Sequence, residues 1–420
     1  MRKPLNLLVI LAAVPLLALP IAAQAQFQYT IADGQVTITK YTGSGGNVTI
    51  PSTINDDSVT AIGTNAFEGN GFVTGVTIPD SVTTIGDSAF AGCALTTLAI
   101  PDSVTTIGDS AFKVCYALTT VTIPDSVTNI GDGAFFYCFA LTGFAVNASN
   151  PSYASAAGVL FDKTLDTLIQ YPSGRAGSYT IPNSVTSIGD SAFASATLTN
   201  VTIPDSVTNI GATAFWGSSI LSVSIPDSVI NIGDQAFGYC SALESITVDV
   251  PGSVISIGDY AFEGCALTNV VIPNSVTSIG EEAFAQCASL RQVYFQGNAP
   301  SVDGVVGSED TSVFSLNGTG NVYYAPGTTG WGATFGGWPT AQSYQPQPQI
   351  LGGDNGLGAG PQGFQFTISW ATNTSVVVEA STDLHHWTPV STNTLVNGSS
   401  AFVDSSWTNY PQRFYRVVSQ

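Results

Sequence analysis

Leu98-Ala99-Ile100-Pro101-Asp102-Ser103-Val104-Thr105-Thr106-Ile107-Gly108-Asp109-Ser110-Ala111-Phe112 is the stretch on which the reading of this chain turns. Its phenylalanine returns, each time behind an alanine, as Phe67, Phe90, Phe112, Phe135, Phe193, Phe215, Phe237, Phe262 and Phe284. The gaps are 23, 22, 23, 58, 22, 22, 25 and 22 residues. A unit so short cannot enclose its own apolar face, so it stacks on its neighbours. Within it, Leu95, Leu98 and Ile100 alternate with Thr97 and Ala99, the pattern of a strand with one face inward. Pro101 has no amide hydrogen and ends the ladder. Val104 and Ile107 point back inward, and Gly108 reads as a tight bend. Asp109 or Ser110 reads as the cap of a short turn that carries Ala111 and Phe112 into the core.

One short parallel strand and one 3-10 or helical return per 22 residues predicts a leucine-rich repeat solenoid. Residues 1–25 read as a secretory signal: Arg2 and Lys3, an apolar Leu5–Ile21, then Ala23-Gln24-Ala25 as a cleavage site. Residues 26–60 read as an N-terminal cap, a hairpin about Asp33-Gly34 followed by the first repeat strand at Thr49-Ile50-Pro51. The solenoid covers 61–299, with an irregular insertion at about 146–180. There the 58-residue gap equals two 22-residue periods with 14 residues over. Gly158–Phe161 and Thr167–Pro172 read as strands, with Pro172 matched to the repeat proline and the surplus projecting as a hairpin or loop. Residues 300–343, rich in Tyr and Trp, read as a C-terminal cap. Residues 344–361 read as a Pro/Gln/Gly linker. Residues 362–420 read as a small all-β sandwich with strands at Phe364–Trp370, Ser375–Ala380, Trp387–Val390, Ser400–Asp404 and Arg413–Val418.

Composition narrows the function. Nine Lys and Arg face 29 Asp and Glu, a net charge of −20, so nucleic acid and anionic membrane are repelled. Charged residues are only 9% of the chain, leaving a surface of Thr, Ser, Asn, Gly and Gln that suits a secreted protein. No later stretch is long and apolar enough to span a membrane. The cysteines, Cys93, Cys115, Cys138, Cys240, Cys265 and Cys287, each follow a motif phenylalanine by three residues. Asn70, Ala196 and Ser218 take that place elsewhere, so it is small and buried, and free core thiols are expected. Stacked neighbours have parallel Cβ vectors, a poor disulfide geometry, although secretion permits one. Zinc would need convergent ligands, and no histidine is near.

Units such as Val121-Thr122-Ile123-Pro124-Asp125-Ser126-Val127-Thr128-Asn129-Ile130-Gly131-Asp132-Gly133-Ala134-Phe135, with Cys138, resemble the BspA-like, or Treponema pallidum-type, leucine-rich repeats of bacterial surface proteins. The resemblance covers residues 29–340 and includes Gly158–Pro172. It implies a secreted or surface-displayed protein of a family in which some members bind host or matrix proteins. The tail, with Glu379-Ala380-Ser381-Thr382-Asp383-Leu384, Trp387 and Arg413-Phe414-Tyr415-Arg416, is similar to fibronectin type III-like modules of secreted environmental proteins.

No catalytic constellation is legible. His385-His386 are adjacent and, on a strand, face opposite sides; neither cysteine nor serine chemistry has a partner for them. Aspartates recur in phase after the proline (Asp80, Asp102, Asp125, Asp205, Asp227) and after the glycine (Asp87, Asp109, Asp132, Asp190, Asp234, Asp259). Turn formation and capping explain them. A glycosidase pair would need one carboxyl set apart from the others. Calcium could sit on such files, though Asn183 and Asn274 interrupt the first. No cofactor is otherwise implied. The outward strand positions form the candidate binding face: Thr97, Thr120, Thr122, Asn200, Thr202, Ser222, Ser224, Ser245, Thr247, Asn269, Gln292 and Tyr294. The reading is a non-enzymatic binding or adhesion protein at the cell surface or beyond it, with an extracellular protein or glycan as partner. A matrix component without a discrete ligand and an accessory glycan-binding module are the alternatives.

Overall fold

The computed structural model describes residues 25–226, 228–243, 245–247, 254–302, 305–306, 312–342, 349–351, 358–360, 363–369, 374–383, 386–395, 399–410 and 412–419. The expected signal segment lies outside them, apart from its last residue.

Most coils contribute two short strands where the sequence showed one. The first ladder is made of two-residue strands such as Thr84–Ile85, Thr106–Ile107 and Asn129–Ile130, stacked parallel with isoleucine on isoleucine. It resumes through Ser187–Ile188, Asn209–Ile210, Asn231–Ile232, Ser256–Ile257 and Ser278–Ile279. The second ladder carries the Val-Thr-Ile strands and is also parallel, as where Thr120–Ile123 lies beside Gly143–Val146.

The return between the ladders is a stack of turns. In the coil of Phe90, the amides of Ser88, Phe90 and Gly92 donate to the next coil's Asp109, Ala111 and Lys113 carbonyls at 2.7–2.8 Å. The intervening Ala89, Ala91 and Cys93 amides each donate three residues back, at 3.1 Å. No buried amide of this turn is left without a partner, as a closed interior requires. That alternation needs left-handed backbone two residues before and two after the phenylalanine. Ser88, Ser110, Gly92 and Val114 have φ of 51°, 55°, 73° and 60°. Gly108 is not among the left-handed residues, and its role differs from the bend expected of it. A Cβ there would stand 2.3 Å from Asp87 Oδ1 and 2.6 Å from Asp87 N, so the glycine admits the neighbouring coil.

The phenylalanines form a stacked file. Ring centroids from Phe67 to Phe135 are 4.7, 5.5 and 5.4 Å apart, and from Phe193 to Phe284 4.8, 5.0, 5.3 and 5.3 Å. Each ring is at most 1% exposed. Such burial is worth about 1.5–3 kcal/mol per side chain by transfer.

The irregular coil does not project. Tyr153–Ala156, Val159–Asp162 and Thr167–Gln170 form an antiparallel meander, and the last strand joins the first ladder beside Ser187–Ile188. Tyr171, fully buried, takes the phenylalanine's place and stacks 5.1 Å from Phe193. Pro172 is therefore not the repeat proline. Pro182, after Gly177–Thr180 of the second ladder, fills that role.

At the N-terminus, Phe27–Ala32 and Gln35–Tyr41 pair antiparallel, and Gln35–Tyr41 continues parallel onto Asp57–Ile62. Phe27 and Tyr41 cover Phe67, with Tyr41 stacked on it at 4.9 Å. At the other end Phe314 extends the file beyond Phe284, and Trp338 stacks on Phe314 at 4.4 Å. Beyond residue 342, two antiparallel sheets share a separate core of Phe366, Ile368, Val376, Val378, Leu395, Phe402 and Val417. One joins Gly363–Ser369 to Ser399–Asp404, the other Thr374–Ser381 to Thr388–Leu395 and Phe414–Ser419. Gln349–Leu351 and Gly358–Gly360, inside the segment expected as a linker, pair with Gly363–Ser369. They cover an edge that would otherwise leave its backbone groups unpaired.

Candidate functional site

The second ladder points its apolar residues inward and its small polar ones outward. Val121 and Ile123 are buried while Thr120 and Thr122 are exposed; Val201 and Val223 are buried while Asn200, Thr202, Ser222 and Ser224 are exposed. Thr97, Asn269 and Gln292 are likewise exposed, and Tyr294 is half-buried. Parallel register converts these positions into columns. Asn200 stands beside Ser222, and Ser222 beside Ser245; Ser224 stands beside Thr247. Asn269 stands beside Gln292, and Gln292 beside Asn321.

The columns are not continuous. Thr97 belongs to a coil that forms no regular strand here, although its in–out alternation persists. Thr120 and Thr122 neighbour Gly143 and Ala145 rather than further hydroxyls. The face therefore consists of blocks. The block from Gly177–Thr180 through Ser245–Thr247 is the most uniform, and the one from Asn269–Ile272 to Trp338–Gln342 the most contoured. In the latter, Tyr294 stacks on Tyr323 at 5.0 Å and 18°, and its hydroxyl donates to Gln292 Oε1 at 2.8 Å. Burial, and then the Tyr323 neighbour, push the Tyr294 phenol up. Asn321 and Tyr323 were missed because they lie in the cap, where the 22-residue period fails. The alternation of Asn321-Val322-Tyr323 was the available signal.

The aspartates after the glycine are engaged within the scaffold. Asp87 Oδ1 accepts the Asp109 amide at 3.0 Å, Asp109 Oδ1 the Asp132 amide at 2.9 Å, and Asp190 Oδ1 the Ala212 amide at 2.8 Å. Asp234 and Asp259 do the same for Asp259 and Glu281. Each carboxylate thus ties its coil to the next rather than capping its own turn. Burial, then Asp109 and Asp190, raise the Asp132 carboxyl above the usual range. Among the described residues, no group of three or more His, Cys, Asp or Glu side chains could hold a metal ion.

All six cysteines are free and buried. Each thiol donates to the phenylalanine carbonyl of the preceding coil: Cys93 to Phe67, Cys115 to Phe90, Cys138 to Phe112, Cys240 to Phe215, Cys265 to Phe237 and Cys287 to Phe262, at 3.0–3.3 Å. Burial pushes Cys93, Cys138 and Cys287 up to about 12 and Cys240 up to about 11. A thiol so held is no nucleophile at neutral pH.

In the tail, His386 is exposed and its Nδ1 lies 2.7 Å from Asp383 Oδ2. His385 lies outside the described residues. The buried ion pair of Arg413 and Asp404, at 3.1 Å, is completed by the Tyr415 hydroxyl donating to Asp404 at 2.8 Å. Burial raises the Asp404 carboxyl, but bonds from Ser406 and Tyr415 hold it below its usual range. These groups lock two sheets together. No helix among the described residues is long and apolar enough to cross a membrane.

Comparison with known proteins agrees with this architecture. The model of the BspA type leucine rich repeat region matches residues 40–157 and 171–291, in six copies. The two matched stretches leave out the meander's second and third strands, Val159–Asp162 and Thr167–Gln170, and the match ends before the C-terminal cap and the tail. The fold is similar to that of a leucine-rich repeat protein from Eubacterium ventriosum, with 26% identity, a TM-score of 0.53, and coverage of 66% of this chain and 84% of that one. A leucine rich cell surface protein from Faecalibacterium prausnitzii aligns at 29% identity, over 65% of this chain and 94% of its own, with a TM-score of 0.45. The pneumococcal vaccine antigen PcpA aligns at 19% identity, over 76% of this chain and 97% of its own, with a TM-score of 0.49. No curated protein matches the chain. With its repeats matched over more than half of its length, the chain belongs to the BspA-type leucine-rich repeat family.

Proposed function

We propose that this is a non-enzymatic binding and adhesion protein, secreted or displayed at the bacterial surface, that takes an extracellular protein or glycan on the outward face of its second ladder. One observation carries the reading. Two parallel blocks of the ladder present exposed hydroxyls and amides in register, one with Asn200, Thr202, Ser222 and Ser224, the other with Asn269, Gln292 and the stacked Tyr294–Tyr323 pair, with no charged side chain in those columns. Binding on such a preformed face sacrifices little backbone entropy. The net charge of −20 lies elsewhere and turns away polyanions. The tail, read as a fibronectin type III-like module, spaces the solenoid from the envelope or attaches it there.

The test is a protein and glycan array screen of the intact chain beside Thr202→Lys and Tyr294→Ala. Both substitutions sit on the exposed side of the ladder and leave the core untouched. The expected result is loss of the strongest target in one or both variants. Binding to nothing, or identical binding by all three proteins, sinks the strand-face reading. Ordered self-association of the intact chain without any ligand would instead support a matrix component.

A further inference from the structure

The turn edge of the solenoid carries a second surface. Phe136 and Tyr137 stack at 4.0 Å and 20°. Trp216 stands nearly upright against both, 5.9 Å from each at 74° and 85°, and Tyr239 continues the row 5.7 Å from Trp216. Phe139 flanks Tyr137 at 5.5 Å. Phe139 is 48% exposed and Tyr239 41%, while the other three are half-buried. These rings come from three coils, yet they meet because the two coils between them carry Pro172-Ser173 and Ala194-Ser195 at the corresponding places. The result is a corner walled by Trp216 and the Phe136–Tyr137 pair.

Two polar features mark this corner as more than packing. Ser195 is 6% exposed and sits beside the Tyr137 phenol, which it helps to hold in place. Tyr239 is held in place, its hydroxyl donating to Glu263 Oε1 at 2.7 Å, with Gln286 Nε2 bonded to the same oxygen. Glu263 itself is 7% exposed.

We infer that this corner binds a neutral polysaccharide chain, stacking sugar C–H faces on Trp216 and the neighbouring rings and bonding sugar hydroxyls to the phenols. Charge disfavours the anionic glycans: the chain has a net charge of −20 and the Glu263 carboxylate sits at Tyr239, against which stands one cation, Lys113, 5.5 Å above Phe136. Size argues against a protein partner. A stable protein interface takes roughly 800 Å² from each side. Aromatic side chains bury about 150–250 Å² each when fully covered, and these five are each less than half exposed. That area suits one or two sugar rings. The inference is independent of the strand-face reading, because the corner lies on the turns and not on the ladder.

Affinity electrophoresis of the full chain through gels containing soluble β-glucan, xylan, galactomannan or, as an anionic control, polygalacturonate tests it. Retardation is expected in at least one neutral polymer and not in polygalacturonate. Trp216→Ala and Tyr239→Ala should weaken it about tenfold or more, the equivalent of about 1.4 kcal/mol. Trp216→Phe should retain most of it. If Trp216→Ala lowers the melting temperature, the more exposed Tyr239→Ala and Phe139→Ala carry the comparison. The inference fails if no neutral polymer retards the chain, or if the aromatic variants migrate as the parent does. It fails equally if Trp216→Ala abolishes self-association or binding of a protein while no polysaccharide binds.

Discussion

At the scale of single residues, the cysteine position shows how the repeat satisfies itself. The place three residues after the phenylalanine must be small, and in most coils it also supplies a donor to a buried carbonyl. Cys265 does so for Phe237, and Asn317 does so for Phe284 at 2.8 Å. Ala196 cannot donate, and Gln170 Nε2, from the preceding coil, reaches the Tyr171 carbonyl at 3.3 Å instead. Size and burial at this position were legible from its substitutes Asn70, Ala196 and Ser218. The donor role was not, because its acceptor lies a full coil away. Cys265→Ala should therefore cost about 1 kcal/mol, since a thiol is a weak donor, and Gln170→Leu about 1–3 kcal/mol. Urea titrations of the two variants check this, and a Gln170→Leu protein as stable as the parent would refute the compensation. The thiols also set a pH dependence. Unfolded, a thiol ionises near its ordinary value of 9.0; folded, Cys240 holds its proton to about 11 and Cys93, Cys138 and Cys287 to about 12. The unfolded chain thus binds fewer protons above pH 9. The stabilisation is complete below that value and is lost as pH rises towards 11 and 12, by up to about 1.4 kcal/mol per pH unit for each thiol. Unfolding free energies measured at pH 8 and pH 10 should show the fall, and Cys240→Ser should make it shallower. An unchanged slope in that variant contradicts the assignment.

At the scale of the coil, the Gly-Asp pair is a joint between neighbours. The sequence displayed both residues in phase, but it assigned them to their own turn. Only stacking shows that Gly108 makes room for Asp87 and that Asp109 receives the Asp132 amide. A Cβ at residue 108 would meet backbone as well as a side chain, so the coil cannot easily yield. Gly108→Ala should cost about 1–3 kcal/mol or more. Asp109→Asn keeps an acceptor oxygen and removes one of a row of like charges, so it should be neutral or mildly stabilising at low salt. Asp109→Ala leaves the amide without its partner and should cost about 1–3 kcal/mol. Since the Oδ1 atoms are already committed to amides, melting temperatures in EDTA and in millimolar calcium should agree. A rise of several degrees in calcium would restore the metal reading of these files. Low-cost replacement by alanine at residue 109 would show that the interlocking amide bonds matter little.

At the scale of the whole molecule, the solenoid is two stacks joined by a seam. The 58-residue gap announced an irregular coil, and the phenylalanine period located both stacks. What the seam does was hidden, because Tyr171 lacks the Gly-x-x-Ala lead that marks its counterparts, and because surplus residues are ordinarily expected outside. The aromatic corner on the turns was hidden for a related reason: Tyr137 and Trp216 are far apart in sequence and meet only across coils whose residues are small. In the seam, successive residues of one strand serve different cores. Leu160 packs with the N-terminal core, which runs from Phe27 to Phe144, whereas Val159 and Phe161 pack with the C-terminal core, which runs on to Trp338. This follows from the alternation of strand side chains. Stability in a stacked array is a sum over coils and their interfaces, so a weak interface should separate two cooperative units. Hydrogen exchange under mild denaturant is expected to show protection lost in two blocks, divided near residue 160. Leu160→Ala should lower the block from 27 to 146 by about 2–5 kcal/mol, and Phe161→Ala the block from 167 to 338 by about 3–5 kcal/mol. Each substitution should leave the other block nearly unchanged. A single loss of protection across both blocks, shifted equally by either substitution, would mean that the meander fuses the stacks into one unit.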